Sequence, residues 1–237
     1  MIALLGKDFR VFAPDLPGYG QSDKPDVVYS IEYYTDFLRN LMDALDLEKA
    51  SLIGISLGGG IALNYTLNYP DRVERLVPVD AYGLTNRYKY HFISWLYLHS
   101  WLNELSFSVY KNRKVSDWGA RASGIIHDPN KLTKELLDEL FEAANIPGGG
   151  KAFMSFQRSE IKSARVRTDF TPRLHEIAVP TLFIQGENDT AVPMDPVKRA
   201  AGLVPGAELH IMAGCGHWAN REAPDEFLNT VREFLSH

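Results

Sequence analysis

The chain has a single cysteine, Cys215, and that scarcity removes two chemistries: an intramolecular disulfide and a cysteine-based zinc site. It also lacks an excess of positive charge. Basic and acidic residues are interspersed to a net charge of −5, which argues against the basic face that a nucleic-acid partner requires. No apolar run approaches the roughly 20 residues of a transmembrane helix, so no integral membrane segment is expected. Residues 1–5 are too short an apolar run for a signal peptide and have no small-residue cleavage pattern, so a cytoplasmic location is expected. Repeats and low-complexity segments are missing as well. What is present, 237 residues of which 45% are hydrophobic and 23% charged, suffices for one α/β domain with a sizeable core and a modest insertion.

Strand-like and helix-like segments alternate. Residues 9–13 read as a strand running into Pro14-Asp15-Leu16-Pro17-Gly18-Tyr19-Gly20, a loop dense in turn residues. Ser30 is placed to cap a helix reaching about Leu45, with Leu38, Leu41, Met42 and Leu45 on one face. Further strands are expected at residues 51–55, 73–79, 181–184 and 209–212. Helices are expected at residues 57–68, from the cap Asp195 with Pro196 behind it, and from Pro224 to the end. The alternation predicts a mostly parallel sheet covered on both faces. Residues 82–161 interrupt it. They hold no strand-like run but carry Tyr88, Tyr90, Phe92, Trp95, Tyr97, Trp101, Phe107 and Tyr110, then helical spacing at Leu132, Leu136, Leu137, Leu140 and Phe141. The expected organisation is a core of residues 1–81 and 165–237 with a helical lid of residues 82–164, whose aromatics build a small core and line an apolar pocket.

The run Gly54-Ile55-Ser56-Leu57-Gly58 lies between an expected strand and an expected helix, the setting of a nucleophile elbow. Both flanking positions are expected to be glycine because side chains there would collide in so sharp a turn. A serine hydroxyl is a weak nucleophile that needs a base, and the base needs a carboxylate. Of seven histidines, only His217 follows a strand in a loop with flanking glycines, Gly214-Cys215-Gly216-His217-Trp218. For the carboxylate, Asp189 stands in the loop after residues 181–184, with Asp80 and Glu187 as rivals. All stand where strand C-terminal ends meet loops, the ligand-binding end of an open parallel sheet.

Over essentially its whole length the chain resembles the α/β-hydrolase fold family. Besides the elbow, the residues carrying the resemblance are Ala13-Pro14-Asp15-Leu16-Pro17-Gly18-Tyr19-Gly20-Gln21-Ser22-Asp23, the G-x-x-D-x-x-V-P of residues 186–193, and Gly216-His217-Trp218 with Glu222. The resemblance implies Ser56 as nucleophile, His217 as base, Asp189 rather than Asp80 as acid, and the Leu57 backbone N–H as an oxyanion donor. It implies no metal and no organic cofactor, and it makes the helical insertion a lid. Trp218, Val192 and Trp95 are the expected pocket residues. The family also places three strands, a helix and an H-G oxyanion loop ahead of residues 9–13, where this sequence has only eight residues. The chain is therefore expected to be N-terminally truncated, with a gap beside the strand at residues 51–55, and an upstream signal stays open.

A serine at the elbow argues against haloalkane dehalogenases and epoxide hydrolases, which carry aspartate there. Cys215-Gly216-His217-Trp218-Ala219 resembles the meta-cleavage product hydrolases. Ile55, however, stands where those enzymes usually have asparagine, and Leu140 where their lid arginine is expected. The expected activity is hydrolysis of small or medium apolar carboxylic esters. Carbon–carbon bond hydrolysis of the meta-cleavage type is the second reading, and a truncated, non-catalytic α/β-hydrolase-like binding protein the third. The expected partner is a small apolar ester or ketone substrate.

Overall fold

A computed structural model describes residues 2–86 and 91–237, so Met1, Tyr88 and Tyr90 lie outside the described residues. Four parallel strands form one sheet: β1 (Ala50–Ile55), β2 (Val73–Val79), β3 (Leu182–Gly186) and β4 (Glu208–Met212), in that spatial order. The helices in chain order are α1 (Ile2–Leu5), α2 (Ile31–Ala44), α3 (Leu57–Asn68), α4 (His91–Leu98), α5 (Trp101–Val109), α6 (Arg113–Ala122), α7 (Lys134–Asn145), α8 (Lys151–Glu160), α9 (Met194–Leu203), α10 (Ala219–Glu222) and α11 (Pro224–Ser236).

Period-2 alternation sets the two faces of the sheet. Leu76 of β2 and Phe183 of β3 point into one apolar cluster with Tyr34 of α2, Ile61 and Leu63 of α3 and Ala200 of α9. Their neighbours Val77, Val79, Leu182 and Ile184 point into the other, with Leu5 of α1 and Phe227, Leu228, Val231 and Phe234 of α11. Burying each of the large side chains contributes about 1.5–3 kcal/mol, so α11 is held chiefly by its four-residue stripe.

Local chemistry starts the helices. The Ser30 hydroxyl accepts the Tyr33 N–H at 3.2 Å to cap α2, and Thr133 does the same for Leu136 at the start of α7. Helix α9 departs from expectation. It begins two residues earlier than an Asp195 cap would allow, with Pro193 in extended conformation as its N-cap and no side-chain cap bond. Asp195 falls in the first turn, where its charge complements the helix dipole.

Residues 9–13 are the larger correction: they form no strand. A strand needs a neighbour's backbone, and β1 pairs only with β2 among the described residues. Ile53 on β1 is correspondingly 38% exposed, while Phe9 and Val11 find cover by packing partly buried against the α11 side of the sheet.

Helices α4 to α8 fill the connection between β2 and β3. Part of this region has an apolar centre, Ile126, Leu132, Leu136 and Leu137, against which Leu140 and Trp218 pack. Its aromatics are mostly outward: Phe92, Tyr97, Trp101 and Tyr110 are exposed.

Candidate active site

Ser56 sits between β1 and α3 with φ 52° and ψ −113°, a left-handed conformation that costs a non-glycine residue about 1–3 kcal/mol. Three backbone hydrogen bonds hold it there. The Ser56 N–H donates to Val79 at 2.9 Å, and the Ser56 carbonyl accepts from Gly60 and Tyr82, both at 3.0 Å. The glycines around it are not equivalent. A Cβ on Gly54 would collide with the Gly58 backbone, and one on Gly59 would come within 2.7 Å of the Ala81 side chain. A Cβ on Gly58 would meet nothing within 4 Å. The expected crowding at both motif glycines therefore holds for Gly54 alone. Gly58 contributes the backbone that Gly54 must clear.

The loops after β3 and β4 bring His217 and Asp189 together. His217 Nδ1 lies 2.8 Å from Asp189 Oδ2, with the Asp189 side chain fully buried and the His217 side chain nearly so. Asp189 Oδ1 accepts the N–H groups of Ala191 at 2.7 Å and Val192 at 2.9 Å, and Gln185 Nε2 lies 3.3 Å from Oδ2. Gln185, completely buried at a polar position within β3, also donates to the Val192 carbonyl at 2.9 Å. An arrangement of this kind fixes one imidazole tautomer: with Nδ1–H committed to the carboxylate, Nε2 is left as the acceptor.

Asp80, at the C-terminal end of β2, completes the cluster. Ligand-type atoms of Asp80, Asp189 and His217 all lie within 4.8 Å of one another. A first-row ion bound at about 2.0–2.2 Å to both His217 and Asp189 would hold their atoms more than about 3 Å apart, so the observed approach is that of a hydrogen bond. Asp80 is fully buried, has φ 44°, and accepts the Gly186 N–H at 2.8 Å on Oδ1. Burial pushes its carboxyl up to about 8 against the pull of the Gly186 N–H, with the Asp189 charge and a hydrogen bond to Asp189 adding to the rise.

Glu222 does work that its place in the sequence motif did not reveal. Its buried carboxylate accepts N–H groups from His127 at 3.0 Å, Asp128 at 2.9 Å and Gly216 at 2.5 Å. The Trp218 N–H reaches the Ile125 carbonyl at 3.0 Å. The histidine loop is thus strapped to residues 125–128, and Gly216 permits the approach: a Cβ there would lie 2.8 Å from the Ile125 oxygen. Neighbouring Cys215 is a buried thiol whose ionisation burial suppresses.

A cavity of about 390 Å³ opens at Ser56. Its apolar wall includes Ile55, Leu136, Leu140 and Trp218, and its polar part comprises Glu139, Asn220 and Arg221. Arg221 Nη2 is tied to Glu139 Oε2 at 2.8 Å, and the buried Asn220 Oδ1 has no hydrogen-bond partner among the described residues. Of the expected pocket residues, Trp218 lines this cavity; Val192 and Trp95 do not. Val192 serves the Asp189 loop through its backbone, and Trp95 packs on α4 between Phe92 and His99 at centroid distances of 6.1 and 5.3 Å. Leu57 begins α3, which leaves its N–H among the first-turn donors that lack an intrahelical acceptor. The sequence offered no signal for Asn220 or Arg221 beyond their nearness to His217, because only the turn into α10 brings them to the cavity.

Comparison with known proteins agrees with this layout. A family model described as alpha/beta hydrolase fold matches residues 1–224. A 2-hydroxy-6-oxo-2,4-heptadienoate hydrolase of Pseudomonas putida is 30% identical over 237 residues, covering 98% of this chain and 80% of that protein. A 2-hydroxy-6-oxononadienedioate/2-hydroxy-6-oxononatrienedioate hydrolase of Escherichia coli is 33% identical over 251 residues, covering 98% of this chain and 78% of its own length. The solved structure of a meta-cleavage product hydrolase from Pseudomonas fluorescens superposes with a TM-score of 0.78 at 30% identity, covering 99% of this chain and 82% of that one. With a family-model match over residues 1–224 and a relative 30% identical over 98% of its length, this chain belongs to the α/β-hydrolase family of hydrolases.

Proposed function

We propose that the chain is a serine hydrolase that cleaves small, neutral carboxylic esters by acyl transfer, with Ser56, His217 and Asp189 as its triad. The observation that carries this reading is the position of Ser56: a strained elbow residue in the wall of a largely apolar cavity. Ser56 Oγ attacks the ester carbonyl while His217 Nε2 takes its proton. Asp189 holds the Nδ1–H and stabilises the imidazolium. The Leu57 N–H receives the developing oxyanion, His217 returns the proton to the leaving alcohol, and water resolves the acyl-enzyme by the same route. Residues 82–164 act as the lid, contributing Leu136 and Leu140 to the acyl pocket. A neutral substrate fits because Arg221, the one arginine among the described residues that line the cavity, is already paired with Glu139.

Carbon–carbon bond hydrolysis is the second reading, favoured by the relatives named above. In it Arg221 would release Glu139 and take the carboxylate of a ring-opened keto acid. A direct comparison separates the two. A p-nitrophenyl ester series should show kcat/KM rising over the first few acyl carbons by about 0.8 kcal/mol per buried methylene. Faster turnover of a 2-hydroxy-6-oxo-dienoate than of any ester would select the second reading. A fluorophosphonate probe should label Ser56 alone, and a protein that takes no label and turns over neither substrate would be a binding protein.

A further inference from the structure

We infer that Asp80 is a positioning residue for the proposed triad: its Oδ2 carries a proton and donates it to the Asp189 carboxylate, so that Asp189 faces His217 as a single, fixed negative charge. The inference rests on the acyl-transfer reading for its consequence in turnover, but not for the protonation itself.

The argument is a count of donors. Asp189 receives backbone N–H groups from Ala191 and Val192, the imidazole Nδ1–H and the Gln185 amide. Asp80, completely buried, receives one, the Gly186 N–H on Oδ1. Its Oδ2 is buried and has no other donor among the described residues to satisfy it. Two carboxylates this close cannot both ionise cheaply, and the proton goes to the one with fewer donors. The other groups facing Asp80 reinforce this. Glu222 adds negative charge and is itself satisfied by three N–H groups, and Cys215 is a buried neutral thiol. A ring nitrogen of His217 lies within 4.8 Å of an Asp80 carboxylate oxygen, while its Nδ1 hydrogen-bonds Asp189. The upward displacement of the Asp80 carboxyl agrees in direction. The left-handed backbone at Asp80 narrows the residues that can serve: aspartate, asparagine and glycine tolerate φ 44° best, and of these only aspartic acid and asparagine can donate to Asp189 while accepting from Gly186.

Two variants test it. Asp80→Asn keeps the backbone preference and replaces the O–H donor by an amide N–H, whereas Asp80→Gly keeps the backbone and removes the donor. Ester kcat should fall about 10- to 100-fold in Asp80→Gly, the loss expected for one hydrogen bond to a charged group, and Asp80→Asn should recover most of it. The wild-type kcat should change in a pH profile near pH 8, where Asp80 finally ionises, and Asp80→Asn should lack that step. Thermal unfolding supplies an arm independent of activity. A folded Asp80 keeps a proton that the unfolded chain releases above about pH 4, so its contribution to stability falls as pH rises from about 4 to 8. The Tm advantage of Asp80→Asn over wild type should therefore grow across that window and level off above it. A Tm difference that does not vary with pH, or an Asp80→Asn enzyme as impaired as Asp80→Gly, would overturn the proposal. If Ser56→Ala leaves ester turnover intact, the acyl-transfer reading fails while the unfolding arm still decides where the proton sits.

Discussion

Two regions of the molecule are built in opposite ways. On the sheet side, the loops after β2, β3 and β4 hold Asp80, Asp189, His217 and Glu222 almost without exposure, and the carboxylates of Asp189 and Glu222 are each engaged by several N–H groups. On the helical side, α4 and α5 bury little beyond Leu98 and Asn103 among their described residues, while Trp101 is 70% exposed, Ile93 66%, and Phe92, Leu96 and Leu105 about half exposed. The first region has little freedom, because displacing any member strands a buried charge or N–H group. The second is held by sparse apolar burial, and regions of that kind open at low free-energy cost. The difference separates a tightly bonded set of buried polar groups at the strand ends from a helical surface with little apolar cover.

The sharpest way to break this comparison is at Ser56. Ser56→Ala should lower ester kcat by about 10⁶-fold, since triad members act as a unit, with no loss of Tm because a strained hydroxyl has been removed rather than a packing group. Steady-state kinetics and a melting curve check both halves. Asp189→Asn should come next, with about 10⁴-fold lost from kcat because the amide favours the wrong imidazole tautomer. A larger loss in an Asp80 variant would instead place the acid on the β2 side.

Glu222→Ala addresses the strap between the two regions. It leaves three N–H groups without their acceptor. At about 1–3 kcal/mol for each group that stays buried, the variant should lose several kcal/mol of stability together with kcat. Unfolding in urea beside ester turnover measures both, and loss of kcat at unchanged stability would show that the strap serves only to aim His217. At the small end, Trp101→Ser on α5 should change stability by no more than about 0.5 kcal/mol, as exposed positions do. Lost activity there would mean that the helical side takes part in the reaction more directly than its exposure implies.

How much of this was legible beforehand depended on the range of the interaction. Ser30 capping α2, the extent of α3 and the start of α11 at Pro224 follow from caps, proline and spacing within a few residues, and the structure reproduces them. Four strands were likewise visible as short apolar runs. The strand expected at residues 9–13 was not realised, since apolar alternation describes a willingness to pair and not the presence of a neighbour. Asp195 failed as a cap for a related reason: the preceding Pro193 already set the extended entry of α9. Val192, expected at the pocket from its place in the acid loop, and Trp95, expected there as an aromatic of the helical insertion, do not line the cavity, because whether a side chain reaches it depends on how its element is oriented in the fold.

The amino-acid sequence alone determined the class of fold and which serine, histidine and acids had the right order and loop setting, because those signals are local and chemical. Tertiary structure decided the rest. It turned the loops after β3 and β4 so that His217 and Asp189 stand 2.8 Å apart, and it buried Asp80 against that pair with a single backbone donor. It also carried Arg221 and Asn220 to the cavity beside Ser56. Burial and proximity between residues more than a hundred positions apart arise only when the sheet is assembled, and they set the charge each buried group can carry.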